Sequence, residues 1–463
     1  MIKKLLLSLL LIPFISCENN DNKKEATFLG GQIINPVSNF VIISDFNSKN
    51  DTIRLDDDGS FRFECESLET GLYTFRHGEI QFFYLEKGDS LLFRVNTVDF
   101  DESLAFSGKG AEKNNFLVSL FLKNESVAEK LPGYYKLSPA AYSAKIDSIT
   151  NRRKNSLTEL EESIPLSDDF IKIAQGTIDY NSYSQKERYL SKRLMEEEDN
   201  SSAKIPANFY DFRNKIAYSD SSLQNHYAYN RFLNRHFENL ALSKINDEEL
   251  EADFKQHKYK LLLIDSLVKT ESLKNNLLRS NLRRYLIDTH DASRDTELLA
   301  LFNKIDTNKR HQSEILKYAQ KTSKLRKGEK VPEIILVTVT NETILLEDIL
   351  KKKTVLFFWS KNSIRHYKEI HLRIAELKSK FPEYDYIGIN TDNHFKKWQK
   401  TVLASGYSKT HEYQFENDKE AENELLINSV NKAIIIDNDS KIIDTYSNIF
   451  NQGFETKLLG YIN

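Results

Sequence analysis

The run Thr354-Val-Leu-Phe-Phe-Trp359 constrains this chain more than any other segment. A strand with one wet face alternates apolar and polar residues. A run without a polar break must be covered on both faces. That requires a sheet with helices packed against each side. The flanking pattern agrees: Ile334–Val339 reads as a strand and Leu346–Leu350 as a short helix. Ser363–Lys380 reads as an amphipathic helix stopped at Pro382, and Tyr384–Ile389 as the next strand. His394–Ser405 follows as a helix closed by Gly406. Lys432–Asp437 and Lys441–Asp444 flank an Asn438-Asp-Ser440 turn as a hairpin, and Phe454–Ile462 is a last helix. Alternating strands and helices predict an α/β domain over residues 326–463.

The remainder is organised differently. Residues 27–110 carry short apolar runs (Phe40–Ile43, Phe82–Leu85, Leu91–Val95) separated by Asp57-Asp-Gly59, Lys87-Gly-Asp89 and Gly108-Lys-Gly110 turns, which predicts a β-sandwich. Asp56-Asp-Asp-Gly59 lacks the spacing and closing Glu of a calcium loop and reads as a hairpin turn. Residues 111–325 are nearly free of Gly and place Tyr259, Leu262, Leu263, Leu267, Leu277, Leu278, Leu282 and Leu286 at helical spacing, which predicts a helical region. Tyr134, Tyr135, Tyr180 and Tyr183 read as helix-packing residues, with a ligand groove as the alternative. The fold class expected is multidomain α+β.

The first residues read as a targeting signal. Lys3 and Lys4 precede an apolar stretch, Leu5–Ile15, shorter than the roughly 20 residues that span a bilayer. Phe14-Ile-Ser-Cys17 then resembles the lipobox of bacterial lipoproteins, whose Cys becomes the lipid-modified first residue. Residues 1–16 are thus expected to be a signal peptide and residues 17–26 a polar tether. The chain has only two cysteines, Cys17 and Cys65. With Cys17 lipidated, Cys65 stands alone, and neither an intramolecular disulfide nor a cysteine metal site can form. Cys65 shares a strand face with Phe61 and Phe63 and reads as a small core residue. A formal net charge of -3 gives no basic field for nucleic acid.

Residues 326–463 resemble the thioredoxin fold of the membrane-anchored TlpA-like disulfide reductases. The matching pieces are Gly328-Glu-Lys-Val-Pro332, Leu346 with Asp348, Val355–Trp359, and Ile436-Asp437 before its turn. The resemblance implies a Cys-x-x-Cys pair shortly after Trp359, where this sequence has Ser363 and His366. It also implies a cis-proline facing the pair, where this sequence has Asn431. Thiol exchange needs a thiolate held by the helix N-terminus, which neither a hydroxyl nor an imidazole replaces. A non-proline residue at 431 is expected to be trans. A Ser363–His366–Glu369 hydrolytic arrangement is weighed against Ser363 as a plain helix N-cap, which is favoured. A metal site from His366, Glu369 and His371 is disfavoured, because the two imidazoles diverge on a helix.

These readings point to a lipid-anchored protein of the bacterial cell envelope, on the periplasmic or an outer-membrane face, with a redox-inactive thioredoxin-like domain that binds or positions a partner protein. Trp359, Ser363, Arg365, His366 and Asn431 are the expected groove residues. No catalytic residue, cofactor or metal is expected. Two alternatives stay open: a periplasmic thiol-disulfide oxidoreductase, and an envelope ligand bound by the β-sandwich.

Overall fold

The computed structural model describes residues 27–45, 50–65, 69–195, 205–245, 252–288, 292–361, 364–451 and 453–462. The signal and tether expected at the N-terminus, including Cys17, lie outside these residues, as does Ser363. The side chains of Cys65 and Arg365 also lie outside the description.

The N-terminal part contains β1 (Thr27–Ile34), β2 (Phe40–Ser44), β3 (Asn50–Arg54), β4 (Ser60–Cys65), β5 (Gly71–His77), β6 (Glu79–Leu85), β7 (Ser90–Asn96), a one-turn helix α1 (Phe100–Ser103) and β8 (Ala105–Lys109). They form two four-stranded sheets, ordered β4-β1-β7-β8 and β3-β2-β5-β6. Alternation buries Leu91, Phe93 and Val95 of β7 against Val41, Ile43, Phe75 and Phe83 of the other sheet. The Asp56–Gly59 segment is a turn closed by Gly59 N–H donating to Asp56 O. Gly59 has φ +77°, and a Cβ there would lie 2.3 Å from Ile33 O, so only glycine fits.

The middle part is helical: α2 (Ala111–Ala128), α3 (Leu131–Tyr134), α4 (Pro139–Ser163), α5 (Asp168–Met195), α6 (Tyr227–Leu242), α7 (Ala252–Leu267), α8 (Glu271–Asp288), α9 (Ala292–Ile305) and α10 (Lys309–Lys324). The start of α4 is set by Ser138, whose hydroxyl accepts from Ala141 N–H, with Pro139 at the first helical position. Asn308 caps α10 in the same way. The tyrosines serve packing: Tyr142 stacks on Tyr189 at 4.2 Å, and Tyr180 is buried against Tyr229 and Phe232.

The C-terminal part runs β9 (Ile335–Val337), β10 (Thr343–Leu345), α11 (Leu346–Ile349), β11 (Thr354–Trp359), α12 (Ile364–Lys380), β12 (Asp385–Asn390), α13 (Phe395–Ser405), β13 (Glu412–Phe415), α14 (Asp418–Glu424), β14 (Lys432–Ile436), β15 (Ile442–Asn448) and α15 (Phe454–Ile462). The sheet order is β10-β9-β13-β12-β11-β14-β15. Strands β11, β12 and β13 are parallel, and β14 runs antiparallel to β11. Every residue of β11 is buried. Val355, Phe357 and Trp359 face a core with Ile370, Leu377 and Phe454, while Leu356 and Phe358 face one with Leu346 and Leu425. Tyr318 of α10 packs on the second core, which ties the helical part to this sheet.

The expected strand from Ile334 to Val339 is shorter in the structure. Asn341, at φ 66°, turns the chain back into β10. Strand β13 and helix α14 were not read from the sequence. Glu412 and Gln414 of β13 look like loop residues, yet both are buried.

Candidate functional site

The candidate site lies where β11 ends and α12 begins. The strand exit is held by paired polar groups. Asp392 accepts from the Ser360 hydroxyl at 2.5 Å and from Lys361 N–H at 2.7 Å. Asn390 donates to Trp359 O at 3.2 Å, and Gln414 donates to Asn390 Oδ1 at 3.1 Å and to Asp392 O at 2.5 Å. A buried carboxamide such as Asn390 costs free energy unless it is paired, and here both ends are. Side chains from β12, β13 and the loop after β12 thus fix the exit of β11.

His366 stands in the first turn of α12, half-buried, with Phe450 edge-on at 6.0 Å. Burial lowers its pKa below the ordinary histidine value, and the charge of His371 adds to this. The Asn431 carboxamide and the Glu369 carboxylate oppose the shift. Among the described residues, Asn431 Oδ1 and both His366 ring nitrogens complete no hydrogen bond. Among the described residues, no carboxylate orients the ring by hydrogen bonding, as a hydrolytic base would require. Asn431 sits just before β14, where its carbonyl accepts from Ile449 N–H at 3.2 Å, and its peptide bond is trans.

The structure corrects the expectation for Trp359. Its side chain is 0% exposed and cannot touch a partner. The alternation of β11 points it into the core, where Nε1 donates to Glu412 Oε2 at 2.8 Å. The other Glu412 oxygen lies 3.2 Å from His371 Nε2, so one proton is held between ring and carboxylate. His371 Nδ1 lies 2.6 Å from Tyr367 O, and the ring stacks on Tyr407 at 3.8 Å with planes 3° apart. His366 and His371 accordingly face different neighbours. Gly388 makes room for this cluster, since a Cβ there would lie 2.6 Å from both Glu412 oxygens.

Glu412 and Tyr407 were missed from the sequence. Periodicity gives no reason to bury a carboxylate in an edge-like segment. The signal that could have found them is the pair of bulky residues, Tyr413 and Phe415, alternating with Glu412 and Gln414. Lys432, next to Asn431, was missed too. Its ammonium is buried, donates to Leu425 O at 2.6 Å and lies 4.3 Å over the Tyr446 ring. Burial lowers its pKa to about 7, against the charge of Asp444.

A family model described as Thioredoxin-like matches residues 351–442, which run from just before β11 to the first residue of β15. The C-terminal domain is thioredoxin-like. The whole chain is thus an N-terminal pair of β-sheets, a helical middle and a thioredoxin-like α/β domain. Among solved structures, the thioredoxin domain of a thiol-disulfide oxidoreductase from Bacteroides vulgatus is 18% identical, with 30% of this chain covering 99% of that one and a TM-score of 0.26. A thiol:disulfide interchange protein from a Bacteroides species is 17% identical, with 26% of this chain covering 80% of that one and a TM-score of 0.23. No curated protein matches the chain. The assignment of the fold rests on the family model and on the strand order. Of the residues expected at the site of this thioredoxin-like domain, His366 and Asn431 are described, and Ser363 lies outside the described residues.

Proposed function

We propose that this is a lipid-anchored cell-envelope protein whose thioredoxin-like domain holds a partner protein without thiol chemistry. The observation that carries the reading is a sequence fact: apart from Cys17 and Cys65, the chain has no cysteine. Thiol-disulfide exchange passes through a mixed disulfide that a second thiol resolves. His366 and Asn431 offer a polar, half-buried surface beside Phe450, which is 39% exposed. That mixture of an unpaired imidazole, a carboxamide and an open aromatic suits contact with a polypeptide. The anchor rests on the lipobox-like context of Cys17.

A photo-crosslinking residue at position 366, in cells, tests partner contact. A discrete adduct is expected, weakened by Phe450→Asp and not reproduced from a probe at Ile80 on the β-sheet part. Identical adducts from both positions would sink the reading. The second reading, a thiol-disulfide oxidoreductase, is favoured by the thioredoxin-like fold itself. Insulin reduction by the Cys65→Ser chain separates the two. Turnover above the dithiothreitol background refutes the redox-inactive reading.

A further inference from the structure

A cavity of about 420 Å³ lies between the β3-β2-β5-β6 sheet and helices α2, α5 and α6. Leu72, Phe82, Leu117 and Tyr227 give it apolar walls. Arg188 and Arg231 also line it, together with the Glu125 carboxyl, whose pKa burial raises, and Arg235 lies one helical turn beyond Arg231. Among the described residues, no carboxylate forms an ion pair with any of these three arginines. The Arg235 pKa is lowered, first by burial and then by the charge of Arg188, with Arg231 adding to it and Glu238 opposing. The charges of Arg188 and Arg231, both on the cavity wall, thus act against that of Arg235. Such an arrangement costs stability unless an anion joins it.

Carboxamide atoms buried in the wall carry the same message independently. Gln81 is 5% exposed, and its Oε1 accepts from Phe82 N–H at 2.9 Å. Its Nε2 has no protein acceptor, and Gln185 Oε1 and Asn124 Oδ1 have no protein donor. A buried polar atom without a partner costs free energy, because it has given up water for nothing. Three such atoms lining one cavity mark it as a place that takes polar groups as well as apolar ones. Gln81 Nε2 and the arginines donate, whereas Gln185 and Asn124 accept.

We infer that this cavity binds a small organic anion: a carboxylate on an apolar body that also bears an amide-type N–H. Arg188, Arg231 and Gln81 meet the carboxylate, the Gln185 and Asn124 oxygens take the N–H, and Leu72, Phe82, Leu117 and Tyr227 cover the apolar part. N-acyl amino acids and short apolar peptides with a free C-terminus share this chemistry. The site is separate from the thioredoxin-like groove and does not depend on its function.

The test uses the full chain with a matched pair of fluorescent probes, N-dansyl-leucine and its uncharged amide. Saturable binding of the carboxylate at one site per chain is expected, with the amide at least about tenfold weaker. One charge-assisted hydrogen bond lost amounts to roughly tenfold or more in affinity. Arg231→Met, at an exposed position, weakens the carboxylate by about tenfold and leaves the amide unchanged. Leu72→Trp, which fills the cavity, removes binding of both probes. Equal affinity for carboxylate and amide, insensitivity to Arg231→Met, or no binding of either probe overturns the inference. If free amino-acid conjugates bind and a C-terminal Leu-Leu-Leu peptide does not compete, the natural ligand is the smaller class.

Discussion

Replacing His371 with Phe tests whether the cluster behind the site is a coupled unit. Glu412 is 4% exposed and has two donors, Trp359 Nε1 at 2.8 Å and the His371 ring at 3.2 Å. Phenylalanine keeps the stack on Tyr407 but removes the proton shared with the carboxylate. A buried charge left without its partner costs about 3–5 kcal/mol. Adding Glu412→Gln removes that charge, and the new carboxamide oxygen still accepts from Trp359. What remains is an amide N–H without an acceptor, about 1–3 kcal/mol. The double variant is therefore expected to be more stable than His371→Phe alone by about 2 kcal/mol. The chain's two tryptophans, Trp359 and Trp398, are both buried in this domain's core, so tryptophan emission in urea reports this domain and no other. With a urea dependence of about 1–3 kcal/mol per molar, the gain is a midpoint shift of about 1 M. A double variant as unstable as the single, or less stable, refutes the coupling.

Three further outcomes follow from particular contacts. The pKa of Lys432 is lowered to about 7 when folded, so above that pH the unfolded chain holds a proton that the folded chain has released. Stability of this domain therefore rises from pH 7 towards 9, by at most about 1.4 kcal/mol per unit, and Lys432→Met flattens the rise in urea titrations at several pH values. Gly388→Ala would put a Cβ 2.6 Å from the Glu412 oxygens and 2.7 Å from Phe357 Cζ, costing about 1–3 kcal/mol by the same tryptophan assay, because a packed core yields little room. Cys17→Ala moves the protein from the detergent phase to the aqueous phase in Triton X-114 partitioning; unchanged partitioning removes the lipid anchor from the proposal.

Much of the thioredoxin-like domain was legible because its strongest signals are physical extremes. Val355–Trp359 has no polar break and becomes the strand buried on both faces. Gly406 closes its helix at φ +73°, as glycine after a helical pattern does. The short β13 was not legible. Glu412 and Gln414 are buried because Trp359, His371, Asn390 and Asp392 supply their partners, and those come from 22 to 53 residues away. Local patterning cannot reveal a polar strand whose burial is decided by distant side chains. Lys432 was hidden likewise, since its partners are the carbonyls of Leu425 and Leu426 and the face of Tyr446. Trp359 failed as a groove residue for the opposite reason. Its position at the end of a strand suggests exposure, but its place in the alternation sends it inward.

The polar network at the end of β11 explains how such a site keeps its shape without a thiol pair. In a reductase the first turn of the active-site helix lowers a thiol pKa, and chemistry preserves the residues there. Here the same strand-to-helix exit is fixed by Asp392 on Ser360 and Lys361, by Asn390 on the Trp359 carbonyl, and by Gln414 beneath both. None of these bonds needs sulfur. Behind them, Glu412, Trp359 and His371 anchor α12 to the sheet through side chains alone. The first turn of α12 therefore carries residues such as His366, whose ring nitrogens complete no hydrogen bond among the described residues. A scaffold held from below by side chains of the sheet and helix keeps the strand-to-helix exit in place whatever residues the first turn carries.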